Sequence, residues 1–526
     1  MSLMTCTPTA RGRSLRVLLC LTVLLSLAFG ACSREQAPPP EYPPLDSVEG
    51  EETPLAETEP EPEPEPETPR EPPPESGTPR DIAFPAITRS TLTNGLELNT
   101  VTNTQLPVVY LQLVVRSGRE TDPASLPGLS SIVADMLKEG TTRHTSAELA
   151  EEIEFLGADM EVAATSENLV LTFRALKEQL PQVLALMAEM TLSPAFDAEE
   201  LEKLRRRELD RLELSEQDPR YLGRRAYYQA LYGAHPYARV DTTADAVRAI
   251  TQENLIAWHR THVVPNNAYL VVVGDVTASD VRRRATTAFR TWRRGTVPEV
   301  SYPEAPTRTA REVIIVDRPG SPQTQIRVGN LAITRADEDW IPLQVANQVL
   351  GGGASSRLFM DLRERRSLTY GAYSSVEERE QVGPFTAVAA VRTEVTAEAM
   401  AAFFEHLVAI SSVAADADET QLARQFLSNS FPLTIDTSGK IASMVASLRS
   451  FGLPDDYWES FRTRIGTVTP EQALEAAREH VRPEQMVVVL VGEAAQIAEP
   501  MRAYGPVTVT NTRGEVLRRL PARARR

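Results

Sequence analysis

The sequence predicts an α+β fold of two tandem homologous domains, each a mostly antiparallel sheet covered by helices, after a signal peptide and a disordered Pro/Glu-rich linker. The first observation is an internal repeat. TQENLIAWHRTHVVPNNAYLVVVGDVT begins at Thr251, and TPEQALEAAREHVRPEQMVVVLVGEAA begins at Thr469, a constant offset of 218 without a gap. The second observation is that each copy has the pattern of a helix, a proline-containing turn and an apolar strand.

A matching series of strands and helices precedes each copy of the repeat. The predicted strand pairs are 95–102 with 108–117, and 312–317 with 324–332. A Pro-rich polar stretch at 296–308 separates the two series. We therefore predict an N-terminal domain at 82–300 and a C-terminal domain at 301–526.

Residues 1–31 have the pattern of a signal peptide. Three arginines precede an apolar run, 17–30, that is too short for a comfortable bilayer span. The run ends in LAFGAC and resembles a bacterial lipobox, with Phe29 where leucine is usual, which implies lipidation of Cys32. We expect a lipid-anchored protein of the bacterial cell envelope. Ser33 in place of Asp after the cysteine, by its resemblance to enterobacterial lipoprotein sorting, implies the outer membrane, facing the periplasm. Ordinary secretion and an uncleaved anchor are the alternatives.

Residues 32–81 form a Pro/Glu-rich tract that includes EPEPEPETPREPPPE. It carries 15 acidic residues and three arginines, so most of the chain's net charge of −17 lies here and residues 82–526 carry about −8. Proline fixes φ and like charges repel, so we predict an extended, disordered tether. The folded part lacks the basic balance of a nucleic-acid-binding protein, and we expect no nucleic-acid partner.

The stretch GLSSIVADMLKEGT, 128–141, predicts a short helix with one apolar stripe. Its other face has the spacing of an H-x-x-E-H zinc helix, in which two histidines bind the metal and a glutamate activates water. In this chain the three positions are Ser131, Ala134 and Asp135.

These features together resemble the insulinase/pitrilysin family of zinc peptidases, which are built from tandem homologous α+β halves. The resemblance runs from about residue 82 to about residue 500. It is carried by five segments: LTNGLEL at 92–98, the 128–141 helix, ALYGAHPYAR at 230–239, VVPNNAYLVVVGDVT at 263–277 and LGGGASSRLFMDLRERRSLTYGAYS at 350–374.

The resemblance places the family's zinc ligands on residues that do not bind zinc. The two histidines fall on Ser131 and Asp135, and the general-base glutamate falls on Ala134. The third ligand, a glutamate on a later helix, aligns near Arg211, and a slip of a residue or two would give Asp210 or Glu213. Alanine cannot accept a proton from water, a serine hydroxyl is a poor ligand, and arginine opposes a cation. We therefore expect no metal and no cofactor in this chain.

Other candidate sites are weaker. His259 and His262 lie at i and i+3 on one predicted helix, but no carboxylate at a matching spacing completes a metal site. His262 and His480 match between the halves, and we interpret them as structural. Gly351 to Gly353 are not followed by GK[ST], so they predict a turn before a helix and not a phosphate loop.

The C-terminal half contains the arginine and the tyrosine that the resemblance leads us to expect in this half. Arg363 and Tyr370 are seven residues apart, the spacing at which this half supplies an arginine and a tyrosine to the cleft. The resemblance implies that the pair grips the peptide backbone and stabilises the tetrahedral intermediate. A surface arginine beside a core tyrosine is the alternative.

The predicted function is the non-catalytic subunit of a heterodimeric zinc metallopeptidase, inactive alone. The resemblance implies a zinc-bearing homologous partner subunit, with zinc in that partner, and unfolded or short peptides as ligands. The alternative is a membrane-anchored peptide-binding or scaffold lipoprotein without a proteolytic role.

Overall fold

The computed structural model describes residues 83–523. The predicted signal peptide, Cys32 and the predicted tether lie outside the described residues. Within the described part, the α+β prediction is confirmed, since two separate sheets are each covered by helices.

The first sheet is built from residues of the N-terminal half. Its six strands are ordered β1-β2-β6-β3-β5-β4. In chain order, this half contains β1 (Thr88–Thr91), β2 (Glu97–Thr102), β3 (Val108–Val115), α1 (Leu129–Met136), α2 (Ser146–Phe155), β4 (Asp159–Ala164), β5 (Leu169–Leu176), α3 (Leu180–Leu192), α4 (Ala198–Ser215), α5 (Pro219–Tyr232), α6 (Ala244–Ala249), α7 (Gln252–His262), β6 (Ala268–Gly274) and α8 (Ala278–Ala288).

The second sheet is built from residues of the C-terminal half. Its seven strands are ordered β13-β12-β7-β11-β8-β10-β9. In chain order, this half contains β7 (Glu312–Asp317), β8 (Gln323–Ile333), α9 (Trp340–Leu350), α10 (Arg357–Phe359), β9 (Thr369–Val376), β10 (Gly383–Arg392), α11 (Thr396–Ser412), α12 (Ala417–Ser430), α13 (Ser438–Ser450), α14 (Tyr457–Thr467), α15 (Pro470–His480), β11 (Val487–Gly492), α16 (Ala494–Met501), β12 (Val507–Thr510) and β13 (Val516–Leu520).

The two sheets share one topology. The order β2-β6-β3-β5-β4 in the first corresponds to β7-β11-β8-β10-β9 in the second, and most neighbouring strands are antiparallel. The predicted strands exist, but the predicted pairing of β2 with β3 and of β7 with β8 is wrong. The repeat strand β6 lies between β2 and β3, and β11 lies between β7 and β8. These two strands are apolar and buried at every position, which suits a central position in a sheet covered on both faces.

The two copies of the repeat begin with the same helix-capping arrangement. Thr251 and Thr469 each cap a helix through a reciprocal capping box, with Asn254 and Gln472 as the respective partners. These caps satisfy backbone N–H groups that α7 and α15 would otherwise leave without acceptors. The two copies of the repeat therefore begin their helices at equivalent residues.

The two halves exchange a helix. α5, from the N-terminal half, packs Tyr227 and Leu231 against Val487 and Val489 of the second sheet. α13, its counterpart 218 residues later, packs on β6 and β3 of the first sheet. Because each sheet buries one face beneath the other half's helix, the halves share their cores within the described part of the chain.

Within residues 83–523, no single helix has the length and hydropathy needed to cross a bilayer. Two helical segments reach that hydropathy only when taken together, Thr393–Ser412 and Ala417–Thr434, and they meet at a bend of 95°.

Candidate functional site

The helix at the predicted zinc position is fixed at its N-terminus by a buried aspartate. Asp122 accepts hydrogen bonds from the backbone N–H groups of Gly128 and Ser130, both at 2.8 Å. Gly128 has a φ of 88°, and a side chain there would collide with Thr242. α1 is thus a well-formed helix, with Leu129, Ile132 and Met136 buried in the core as the periodicity predicts.

The three positions of the H-x-x-E-H spacing have other contacts in this chain. Ala134 is 1% exposed and belongs to the core. Asp135 is half-buried and accepts a hydrogen bond from Lys138 Nζ at 2.6 Å. Ser131 is half-buried beside them. The residues present do not fit a zinc ion, because this face offers one carboxylate, already paired, and no imidazole.

Arg211, at the predicted position of the third ligand, lies on α4, which packs against α1. Its guanidinium donates to both carboxylate oxygens of Asp241, at 2.8 and 2.9 Å, and to Glu208 at 2.8 Å. The hydrogen bond to Asp241 raises the pKa of Arg211, so its charge is permanent. The alternative positions, Asp210 and Glu213, are exposed and line a separate cavity of about 470 Å³ between α4 and α5.

A second arginine places positive charge beside Asp135. Arg207, one turn before Arg211 on α4, bonds to Glu139 at 2.6 Å. That hydrogen bond raises the pKa of Arg207, and the nearby charge of Asp135 adds to the effect. The α1–α4 surface is therefore a set of ion pairs rather than a metal site.

The histidines of α7 do not meet at a common point. His259 Nε2 lies 2.9 Å from the carbonyl oxygen of Thr191, and burial lowers its pKa to about 4. His262 Nδ1 lies 2.9 Å from the carbonyl oxygen of Trp258, and its ring stacks on that indole. Each ring is held by a different backbone carbonyl, which is consistent with structural roles.

Within the described residues, one trio of side chains has ligand atoms within 4.8 Å of one another, namely Asp337, Asp339 and His480. His480 Nδ1 faces the carbonyl oxygen of Ala332, and Nε2 lies 3.1 Å from Asp339. Asp337 accepts the backbone N–H of Asp339 just before α9. These bonds tie α15 to the start of α9, a structural role like that expected for His262.

The structure brings Arg363 and Tyr370 together. The guanidinium carbon of Arg363 lies 4.8 Å from the centre of the Tyr370 ring and 4.8 Å from that of Phe359. Tyr370 is 88% exposed and is the second residue of β9, the strand at the outer edge of the second sheet. The alternative interpretation, a core tyrosine beside a surface arginine, does not match this exposure, and the pair presents two hydrogen-bond donors on the surface.

A π-helical turn, Met360–Arg365, carries Arg363 directly after α10. π-Helical turns are rare and occur frequently at functional sites. The chain then turns through Ser367, whose φ of 52° is unusual for a residue with a side chain. This geometry returns the chain to β9, so that the side chain of Arg363 meets that of Tyr370.

A buried carboxylate holds the π-helical turn. Asp361 is 3% exposed and accepts from His406 Nε2 at 2.9 Å and from Arg366 Nε at 3.1 Å. Burial alone would raise the pKa of Asp361, but the hydrogen bonds from His406 and Arg366 outweigh it and hold the pKa low. Asp361 is therefore ionised and fixes the turn to α11.

The Gly351–Gly353 segment forms a turn between α9 and α10, as predicted. Ser374 of β9 donates its backbone N–H to the carbonyl oxygen of Gly351 at 2.9 Å. A side chain on Gly351 would collide with Ser374. The glycine permits this close approach and so sets the position of β9, the strand that carries Tyr370.

A cavity of about 750 Å³ opens beside Tyr370. It lies over β8, β9 and β10, next to the first turn of the exchanged helix α5. Its counterpart in the first half, over β3 and next to the first turn of α13, measures about 310 Å³. The larger cavity thus lies in the half that carries the surface donors.

Glu120 and Glu167 are buried near the junction of the two halves. Glu120 is 8% exposed and accepts from Tyr302 Oη at 2.9 Å. Glu167 accepts from Tyr237 Oη and, at 2.8 Å, from the backbone N–H of Glu380 in the C-terminal half. Burial raises the pKa of Glu120 from 4.5 to about 8, and the neighbouring Glu167 adds to the shift.

We expect Glu120→Gln to remove a pH dependence of stability. The folded-state pKa of Glu120 is raised, so its contribution is fully present below pH 4.5 and is lost as the pH rises toward 8. At pH 8 the variant should be more stable than the wild type by at least about 2 kcal/mol, and at pH 4.5 the two should be nearly equal. Thermal unfolding at both pH values measures this, with the exposed Glu154→Gln as control. If the stabilities of the wild type and of Glu120→Gln changed equally between the two pH values, the raised pKa of Glu120 would be refuted.

Sequence reasoning missed several residues of this region. Asp361 and Arg366 support the Arg363 turn from within the same segment, but His406 lies 45 residues from Asp361, and no short-range pattern joins those two. The cavity is lined by residues from α5, β8 and β10 as well as β9. The close spacing of arginines in RERR was the one local signal of a charged turn.

Two family descriptions match the chain and together cover more than half of it. Residues 99–240 match "Insulinase (Peptidase family M16)", and residues 249–427 match "Peptidase M16 inactive domain". Among curated relatives, an uncharacterized zinc protease of Streptomyces coelicolor is 24% identical over 411 residues, 76% of this chain and 89% of the relative. A protein of Helicobacter pylori described as "Non-peptidase homolog YmxG" is 23% identical over 393 residues, 74% of this chain and 90% of the relative.

Solved structures have the same fold. A peptidase M16 inactive domain from Pseudomonas fluorescens has a TM-score of 0.73 and 27% identity, and covers 77% of this chain and 98% of that one. A protease from Helicobacter pylori has a TM-score of 0.72 and 17% identity, and covers 78% of this chain and 100% of that one.

Proposed function

This chain belongs to the insulinase family, peptidase family M16, as a homologue without the zinc-ligand set, and we propose that it is the non-catalytic subunit of a heterodimeric zinc metallopeptidase. The observation that carries the proposal is an asymmetry between the two halves. The N-terminal half has Ser131 and a paired Asp135 where the zinc ligands are needed and Ala134 where the general base is needed, whereas the C-terminal half presents Arg363 and Tyr370 at its surface.

The chemical role of Arg363 and Tyr370 is to donate hydrogen bonds. Hydrolysis of a peptide bond places negative charge on the carbonyl oxygen in the transition state, and fixed donors aimed at that oxygen stabilise it. A guanidinium and a phenol are both suitable donors. Phe359 packs under the guanidinium of Arg363 and Asp361 holds its turn, so the donors are positioned before the substrate arrives.

The ligand is an unfolded or short peptide. β9 lies at the end of the second sheet, so the backbone groups on its outer side have no strand partner among the described residues. An extended peptide can add to such an edge through main-chain hydrogen bonds. Tyr370 is the second residue of this strand, which supports placing a bound peptide beside the donor pair.

The partner is a homologue with an intact H-x-x-E-H helix and its zinc. That subunit supplies the metal and the activated water, and this chain supplies the donors and one wall of the peptide-binding chamber. Neither chain alone then has a complete site.

The proposal is tested by peptide hydrolysis with this chain, with a zinc-bearing homologue from the same organism, and with their mixture. We expect the mixture to exceed the sum of the separate rates by at least about tenfold, since each subunit lacks part of the transition-state stabilisation. Size-exclusion chromatography should show a 1:1 complex. No gain on mixing would contradict the proposal and favour a peptide-binding or scaffold lipoprotein.

We also propose that Cys32 is lipidated and anchors the chain to the bacterial cell envelope, at the outer membrane facing the periplasm. The support is the LAFGAC sequence before the Pro/Glu tract. In cell fractionation, Cys32→Ala should move the protein from the membrane fraction to the soluble fraction. An unchanged membrane fraction would refute the lipid anchor.

A further inference from the structure

The cavity beside Tyr370 is lined by three arginines, Arg220, Arg327 and Arg392, and is here called the arginine pocket. Its volume is about 750 Å³, which is enough for several side chains of a peptide. None of the described residues that line it is aspartate or glutamate. This is the reverse of the chain's overall balance, since residues 82–526 carry a net charge of about −8.

Two of the three guanidinium groups have no carboxylate partner among the described residues. Arg327, on the interior strand β8, is half-buried and lies 5.6 Å above the ring of Tyr227. Burial lowers its pKa, and the negative charge of Glu377 opposes this without a described ion pair to Arg327. Arg220 is exposed in the first turn of α5, and only its backbone N–H bonds to an acidic side chain, that of Asp218.

The third arginine has a weak partner. Arg392 pairs with Glu394 at 2.9 Å, but both side chains are more than half exposed, and such surface pairs contribute little. Other little-exposed arginines have fixed hydrogen-bond acceptors. Arg335 and Arg449 pair with carboxylates, and Arg119 donates to the carbonyl oxygen of Ala164 and to the hydroxyl of Ser166. The guanidinium of Arg327 has no hydrogen-bond or ion-pair partner among the described residues, so it is available to a ligand in the cavity.

The pocket adjoins the edge where a peptide would bind. Thr369, Gly371 and Tyr373 of β9 all line it, and Tyr370 lies at its rim. Successive side chains of an extended peptide point to opposite faces of a sheet. A peptide paired along β9 would thus direct every second side chain toward the face that carries Arg327 and Arg392.

We propose that the arginine pocket binds acidic side chains of the peptide, so that the substrate class of this subunit is peptides with aspartate or glutamate beside the β9 edge. Ion pairs in a partly desolvated pocket are stronger than exposed ones, because the dielectric is lower and the guanidinium offers paired donors. The assignment of the bound peptide as a substrate rests on the proposed function, but the binding preference is a property of this chain alone.

The test is fluorescence anisotropy with the full chain and three labelled extended peptides that differ only in carrying glutamate, glutamine or lysine at alternate positions. The glutamate peptide should bind about tenfold more tightly than the glutamine peptide at low salt, and the lysine peptide most weakly. Arg327→Gln and Arg220→Gln should each reduce the preference for glutamate. Arg220 is exposed, so its variant remains informative if Arg327→Gln fails to fold.

Arg282→Gln is the matched control, because it removes the same charge from an exposed site on α8. It should leave the preference for glutamate unchanged. Equal binding of the glutamate and glutamine peptides would overturn the proposal, and so would an equal loss of preference in Arg282→Gln and Arg327→Gln. If the mixture with the zinc-bearing homologue hydrolyses peptides and these peptides bind equally, the proposed function stands and the acidic preference falls.

Discussion

Replacing Arg363 with alanine is expected to lower kcat of the mixed enzyme by about a hundredfold, with formation of the complex unchanged. The guanidinium is held between Phe359 and Tyr370, so it donates from a fixed position to charge that develops only in the transition state. Tyr370→Phe keeps the ring and removes one donor, and a loss of about tenfold is expected. Steady-state hydrolysis of one peptide by the mixture measures both effects.

The neighbouring Arg365 provides the control for this prediction. Its side chain is 70% exposed and lies 3.7 Å from Asp361, whereas the guanidinium that lies against the Tyr370 ring is that of Arg363. Arg365→Ala should therefore change kcat by less than about twofold. If Arg363→Ala and Arg365→Ala have the same small effect, the pair is not part of the site and a scaffold role is favoured.

Gly329→Ala is expected to destabilise the protein by about 3 kcal/mol. Gly329 lies in the interior strand β8, and a methyl group there would collide with the carbonyl oxygen of Phe385 and the hydroxyl of Tyr227. Tyr227 belongs to the exchanged helix α5 and donates to that same carbonyl at 2.8 Å. The alanine must therefore displace either a sheet partner or the helix that joins the halves.

Gly466→Ala is the control for Gly329→Ala. Gly466 lies in α14 with no neighbour within 4 Å of an added methyl group, so alanine should be neutral or stabilising there. Thermal and urea unfolding measure both variants. A Gly329→Ala protein as stable as the wild type would show that α5 does not pack on the second sheet as described.

The repeat at an offset of 218 was enough to predict two α+β halves with equivalent helices and strands. It was not enough to predict the sheet order or the helix exchange. Both copies of the central strand are apolar at every position, which indicates burial but not which strands lie on either side. The helix exchange leaves no such signal either, because the periodicity of a helix does not identify the sheet on which it packs.

The candidate site was predictable only where its residues lie close together in the sequence. The spacing of Arg363 and Tyr370 is local, and the structure does bring them together. The π-helical turn, the buried Asp361 with His406, and the arginine pocket depend on contacts between residues far apart in the chain. Charge pairing of that kind leaves no periodic signal, so it appears only once the elements are packed.

The central claim is that the metal chemistry is supplied in trans, and zinc stoichiometry tests it most directly. The purified chain, treated with zinc and then freed of unbound metal, should retain almost none, because Ser131 and the paired Asp135 and Arg211 offer no ligand set. Its complex with the zinc-bearing homologue should retain about one zinc per pair of chains. About one tightly held zinc on this chain alone would contradict the account.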